Sequence, residues 1–270
     1  MYENREDKRN SKLIDEALDF EPIKNTFRLG WEFVTLNKKF TLTAMVTFIL
    51  LNILGMIPMI ALIFMVLSAI FGLAIQIHVG RTLYFSRDIQ SYISEIEYSS
   101  VEAILNRHTA TAFGVYMGWT LLILIAILIF TFIGGALGLI GNNMSEVEIV
   151  NALITLGLPI ILVALVLSYV QPLVQANIIL SNSFKEGFKA VFTIFSIELW
   201  RLSFQKSYFK YVAIFGTILI VLLFLFTLVI GVVSGLSGLA VVGNILLMMG
   251  MYIFMIMMSV GSIMAYRVVE

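Results

Sequence analysis

The side chains able to do chemistry are few. Gln76, His78, Gln171, Gln175 and Asn177 stand in otherwise apolar sequence near the ends of two long tracts. Amides and imidazoles there can line a polar pocket or meet a lipid headgroup, and they can also bond from helix to helix. Glu95, Glu97, Glu102 and His108 are the only acid–base candidates, and His108 with Glu97 or Glu102 is the combination suited to general acid–base work. His78 and His108 are the only histidines, and neither has carboxylates at helical ligand spacing. The chain has no Cys, which removes thiolate ligands and thiol nucleophiles. Neither a metal nor a cofactor is expected. No GxSxG, HExxH or glycine-rich phosphate loop is present. Met248, Met251, Met255 and Met258 would share a helix face, and without Cys or His nearby they read as adaptable packing rather than a copper site.

A second group is cationic. In PIKNTFRLGW (22–31) and SFKEGFKAVF (183–192), Ile23, Lys24, Phe27, Arg28 and Trp31 correspond to Phe184, Lys185, Phe188, Lys189 and Phe192, each 161 positions on. Phe184, Phe188, Phe192, Phe195 and Leu199 would fall on one face of a single helix. Such a helix lies in a headgroup layer, with its Phe side in the acyl boundary and its Lys side near anionic lipid. Lys24, Arg28, Lys185 and Lys189 are therefore the expected headgroup contacts.

The elements that carry these residues are membrane spans. Of 270 residues, 60% are hydrophobic and 13% charged, far from the balance of a water-soluble domain. Thr41–Gly80 has no Asp, Glu, Lys or Arg, enough for two spans of about 20 residues, with a turn at Gly55 and Pro58. Further spans are expected over 109–133, 151–180, 211–234 and 243–266, with a Gly- and Asn-rich connection over 134–150. Backbone in lipid must bond within its own segment, and nothing alternates as a barrel strand does. The fold class is thus all-α: six transmembrane helices as three hairpins, each preceded by an amphipathic helix. Residues 1–20 read as a flexible charged tail without the apolar run of a secretory signal. Residues 21–270 read as one domain with candidate repeats at 21–80, 82–180 and 184–267. Ser99 with Glu102 would cap the helix entering the third span.

All 17 Lys and Arg residues lie before the first span, in 81–107, in 185–210, or at Arg267. With six spans these segments share one side, and the other side carries only Glu146 and Glu148. The positive-inside rule makes the basic side cytoplasmic, with both termini inside a bacterial inner membrane. The spans lack ionisable residues at depth, which disfavours ion-coupled transport, and zero net charge disfavours nucleic acid as a partner. Gly114/Gly118, Gly134/Gly138 and Gly231/Gly235 permit close helix approach, within the chain or between copies.

The pattern apolar-Lys-x-x-Phe-Lys/Arg-x-x-aromatic leading into a hairpin, carried by Phe184–Phe192 and Ile23–Trp31, resembles poorly characterised bacterial six-span families. These include the membrane domain fused to some glycerophosphoryl diester phosphodiesterases. No catalytic domain accompanies the spans here, so the resemblance implies a multi-pass membrane protein of accessory or lipid-related role and carries no activity over. The function expected is a non-enzymatic scaffold, anchor or assembly partner. It would work from its cytoplasmic face with membrane lipids and another membrane or cytoplasmic protein. A small-molecule or lipid permease and a membrane enzyme built on His108 are the alternatives.

Overall fold

The computed structural model describes residues 12–136, 146–235 and 239–270, with side chains for all of these except 146–156 and 158–160. The first eleven residues, most of the 134–150 connection, Gly138, and the side chains of Glu146 and Glu148 lie outside the described set. Every regular element among the described residues is helical. In chain order these are α1 (Lys12–Asp19), α2 (Pro22–Leu36), α3 (Lys38–Leu54), α4 (Ala61–Phe85), α5 (Ile89–Glu97) and α6 (Val101–Ala136). They continue with α7 (Glu146–Leu180), α8 (Phe184–Val191), a 3₁₀ turn (Phe192–Phe195), α9 (Ile197–Ser203), α10 (Lys206–Gly235) and α11 (Ala240–Arg267).

Five stretches are long and apolar enough to cross a bilayer: Ala61–Phe85, Val101–Ala136, Ile161–Leu180, Lys206–Gly235 and Ala240–Arg267. The expected first span meets the same standard only when α3 is joined to α2 across a 90° bend. α3 has 17 residues, about 25 Å at 1.5 Å per residue, short of a hydrocarbon core of about 30 Å. Lys38 and Lys39 open it, and the Gly55–Pro58 turn follows it, as expected. The count is therefore five or six.

α4, α7 and α11 touch one another pairwise and form the centre of the bundle. α6 packs on α4, α10 on α11, and α3 on both α4 and α11. Outward faces stay apolar: Leu128, Phe132, Leu165, Ile220 and Phe224 are all exposed. Contiguous apolar surface on this scale needs lipid around it.

The charged segments gather at one end through direct contacts. Lys12–Asp19, part of the expected tail, is a docked helix with Leu13, Ile14 and Ala17 buried. Its Leu13 N–H donates to the Arg87 carbonyl (3.0 Å), and Asp15 pairs with Arg267 (2.9 Å). The Asn37 amide reaches the Ile96, Glu97 and Ser99 carbonyls. Tyr92, wholly buried, donates to the Leu29 carbonyl at 2.9 Å, and burial pushes its phenol well above the usual value.

Two local expectations change. The Phe184–Leu199 face is not one helix: α8 ends at Val191, a 3₁₀ turn follows, and Ser196 is extended before α9. Ser196, able to bond its own backbone, favours such a break. Likewise Ser99 does not cap α6. Ser100 does, accepting from the Ala103 N–H at 3.2 Å, while Ser99 is buried against α4. A side-chain cap of the predicted sort opens α5 instead. There the Asp88 carboxylate accepts from the Ser91 N–H at 2.8 Å, and this bond holds its pKa below the usual range.

Candidate polar cavity at the basic end of the bundle

The last turns of α4 place His78, Arg81, Thr82 and Phe85 at i, i+3, i+4 and i+7, so they share a face. The second turn of α6 brings Arg107 and His108 opposite them. Together with Glu95 from α5 and Asn182 from the α7–α8 link, they line a cavity of about 430 Å³. The His78 and His108 rings lie 5.7 Å apart, and Phe33 and Phe40 stand edge-on to His78 at 6.1 and 6.3 Å. Phe33 and Phe40 pack on the His78 ring without lining the cavity, and Arg107 and Glu95 are exposed at its mouth.

Each polar group is held differently. His78 Nε2 lies 2.8 Å from Ser99 Oγ, and Ser99 Oγ donates its proton to the Glu95 carbonyl at 2.9 Å. Ser99 has one proton, so the hydroxyl accepts from His78, which places a hydrogen on Nε2. Arg81 donates through Nη1 to the Ser181 carbonyl (3.1 Å) and through Nη2 to Asn182 Oδ1, and its guanidinium lies 5.4 Å from the Phe85 ring. The Glu186 carboxylate is near enough to act on the Arg81 charge. His108 is 6% exposed and its Nδ1 has no hydrogen-bond partner. Arg107 makes no ion pair or hydrogen bond among the described residues. No three His, Asp or Glu side chains among them converge as metal ligands.

The expected polar pocket is divided. Only His78 of the five reaches this cavity. Gln175 Nε2 donates to Gln76 Oε1 at 3.0 Å, tying α7 to α4. Asn177 reaches Thr193 Oγ1 at 3.5 Å and lines a separate space of about 220 Å³ with Glu198 and Tyr266. Gln171 is half-buried and lines neither. Part of the reason is angular: 177 projects about 200° from 175 on α7, and 76 and 78 diverge by about 200° on α4, while 171 shares the face of 175 but lies one turn away along the helix. Nor do Glu97 or Glu102 line the space beside His108; Glu95 does. Arg81, Arg107 and Asn182 are absent from the sequence-based set, and Glu95 stands in it only as an acid–base candidate. Two signals for them existed, the i, i+3 spacing of His78 and Arg81 and the adjacency of Arg107 and His108.

The four cationic residues are solvent-facing but unlike one another. Lys24 pairs with Glu21 (2.6 Å) and Arg28 with Glu32 (4.0 Å). Lys185 and Lys189 are exposed and make no ion pair among the described residues. On α8 the buried face is Gly187, Ala190 and Val191, set against α6, and the Phe184, Phe188 and Phe192 rings form a half-exposed flank. On α2 the corresponding positions, Thr26, Leu29 and Gly30, are buried too, against α10 and α11.

The methionines pack: a side chain at Gly72 would meet Met255 Sδ, and one at Gly30 would meet Met257 Sδ. Gly231 and Gly235 face open space.

These features define a multi-pass, all-helical membrane protein with a polar cavity at its charged end. No family model matches the chain, and no curated protein or solved structure matches it.

Gln76 with Gln175 links two central helices inside an apolar bundle. Interhelical hydrogen bonds of this type average about 0.6 kcal/mol in membranes. Gln175→Leu should therefore lower stability by about 0.5–2 kcal/mol, read from the midpoint of an unfolding titration in detergent.

Proposed function

We propose that this chain is a non-enzymatic scaffold or assembly partner of a bacterial inner membrane, working from its basic end, which faces the cytoplasm. The observation that supports this most is that α1, α2, α5, α8 and α9 build a packed, charged layer at one end of otherwise apolar helices. Orientation follows from the concentration of Lys and Arg at that end. The buried register shared by α2 and α8 supports a parallel repeat, each amphipathic helix being seated on another unit's spans. Membrane lipid is the first partner, with Lys185 and Lys189 as its freest contacts and Lys24 and Arg28 as paired ones. A further membrane or cytoplasmic protein docks on the same layer.

The test is charge reversal. Lys185→Glu with Lys189→Glu should fold and insert as the parent does. It should retain several-fold less anionic lipid, counted by native mass spectrometry from mild detergent. Unchanged retention would count against this reading.

One observation favours the permease. Asn52, Ser68 and Gln76 face a cavity of about 350 Å³ between α3, α4 and α11, with Asn52 Nδ2 bonded to Ser68 Oγ at 2.8 Å. Uptake lost in Gln175→Leu while the fold persists would favour transport.

A further inference from the structure

We propose that the cavity between α4, α5 and α6 is a binding site for a phosphate-type oxyanion, carried by a lipid headgroup or a small soluble phosphate. The proposal builds on the basic end as the working face but concerns different residues from those tested above.

Charge selects the ligand class. Two guanidiniums, Arg81 and Arg107, line a space with one carboxylate, Glu95, while the Glu186 carboxylate, outside the lining, offsets part of the Arg81 charge. A divalent cation would meet two fixed positive charges and, among the described residues, no set of three His, Asp or Glu ligands. An anion meets the reverse. Arg81 is oriented in advance, because the Ser181 carbonyl and Asn182 Oδ1 hold its fork. Arg107, at the mouth and bound to nothing among the described residues, can turn its five donors onto a ligand. Arg is the residue suited to such planar, two-point recognition of phosphate oxygens.

The second observation is His108. A ring nitrogen buried with no partner bears an uncompensated desolvation penalty unless something satisfies it. The His108 side chain lines this space, 5.7 Å ring to ring from His78, and a ligand hydroxyl, oxyanion or ordered water within reach of Nδ1 would complete it. Its ring can carry hydrogen on Nδ1 as a donor to an oxyanion. The site thus offers two charge-assisted donor groups and a buried donor. Thr82 adds a hydroxyl from the same face of α4.

The volume fits a phosphate with room to spare, about 430 Å³, so the oxyanion would carry a substituent. Glu95 at the mouth is an acceptor, suited to a hydroxyl or ammonium on that substituent. The Arg81 and Phe85 end of α4 lies where the last apolar turn meets polar sequence. A headgroup would be met there, and a cytoplasmic phosphate could enter as well.

The experiment uses the full chain in detergent and in nanodiscs containing phosphatidylglycerol. Inorganic phosphate should raise the thermal midpoint saturably, where chloride at equal ionic strength does not. Arg107→Gln alters an exposed side chain and leaves the fold; it should weaken apparent phosphate affinity about tenfold or more, the loss of one charged hydrogen-bonding partner. Glu95→Gln should tighten binding, an effect of opposite sign that a merely loosened fold would not produce. If phosphate gives no shift but the Arg107→Gln chain leaves nanodiscs with fewer bound phosphatidylglycerol molecules, the headgroup is the source. If neither probe responds to Arg107→Gln, the site is overturned. Should lipid retention still fall on reversing Lys185 and Lys189, the basic layer remains the working face without this pocket.

Discussion

Gly114→Val should detach α8 from α6 and leave a protein that unfolds early and is cut by trypsin after Lys185 and Lys189. A Cβ at position 114 would stand 2.1 Å from the Phe184 carbonyl oxygen, and one at Gly187 would stand 2.5 Å from that of Thr111. Both obstacles are backbone, so no rotamer change relieves them. Overpacking costs about 1–3 kcal/mol even where side chains can shift, and here a helix must move. α8 has eight residues, too few to persist alone in water, so once displaced it unravels. Two controls bound the effect. Gly216→Val, where a Cβ would meet nothing within 4 Å, should stay near the parent apart from its helix propensity. Gly30→Ala pushes on the Met257 thioether, a flexible group, and should cost less than Gly114→Val. Parent-like stability and trypsin resistance in Gly114→Val would show that the α6–α8 contact is not what seats this helix.

Asn37→Ala should lower stability by about 2–4 kcal/mol. Asn37 sits at the 90° elbow between α2 and α3. Its Oδ1 accepts from the Phe40 N–H (2.9 Å) and so caps α3, while its Nδ2 serves the carbonyls of Ile96, Glu97 and Ser99 at 2.9–3.1 Å. Losing the cap costs about 1 kcal/mol. The amide also closes the C-terminal end of α5 and the turn beyond it, sharing the Ile96 carbonyl with the Ser99 N–H, and each lost bond there adds about 0.5–1.5 kcal/mol. Two N–H groups share three acceptors, so the sum stays below three full bonds. Asn37→Asp keeps the cap acceptor but loses both donors, and it should fall between Ala and the parent. Denaturant midpoints by circular dichroism in detergent decide it. An Asn37→Ala chain as stable as the parent would mean that water replaces all four bonds.

Both sites show what one dimension conceals. Gly114 and Gly118 are visible in the sequence as a close-approach pair, yet the partner was open. The structure gives it to α8, with Gly118 set against the Phe188 carbonyl and Val191. Asn37 looks like any polar residue before Lys38 and Lys39. Its value lies in carbonyls about 60 positions away.

The amino-acid order alone determined helices, their approximate limits, lipid as the surrounding medium, and the collection of charge into a few segments. Hydropathy and hydrogen-bond closure act over a single span, so about 20 consecutive residues suffice to decide them. It also showed one residue pattern shared by 183–192 and 22–31, and corresponding positions of the two, Gly187, Ala190 and Val191 and Thr26, Leu29 and Gly30, are buried. Which polar groups meet was decided only in three dimensions. Gln76 and His78 are two residues apart and face different neighbours. His78, Glu95, Arg107 and Asn182 come from four segments and share one space. Such convergence depends on the rotation and depth of each helix. These are settled by close packing at contacts such as Gly114 on Phe184, between residues far apart in the chain.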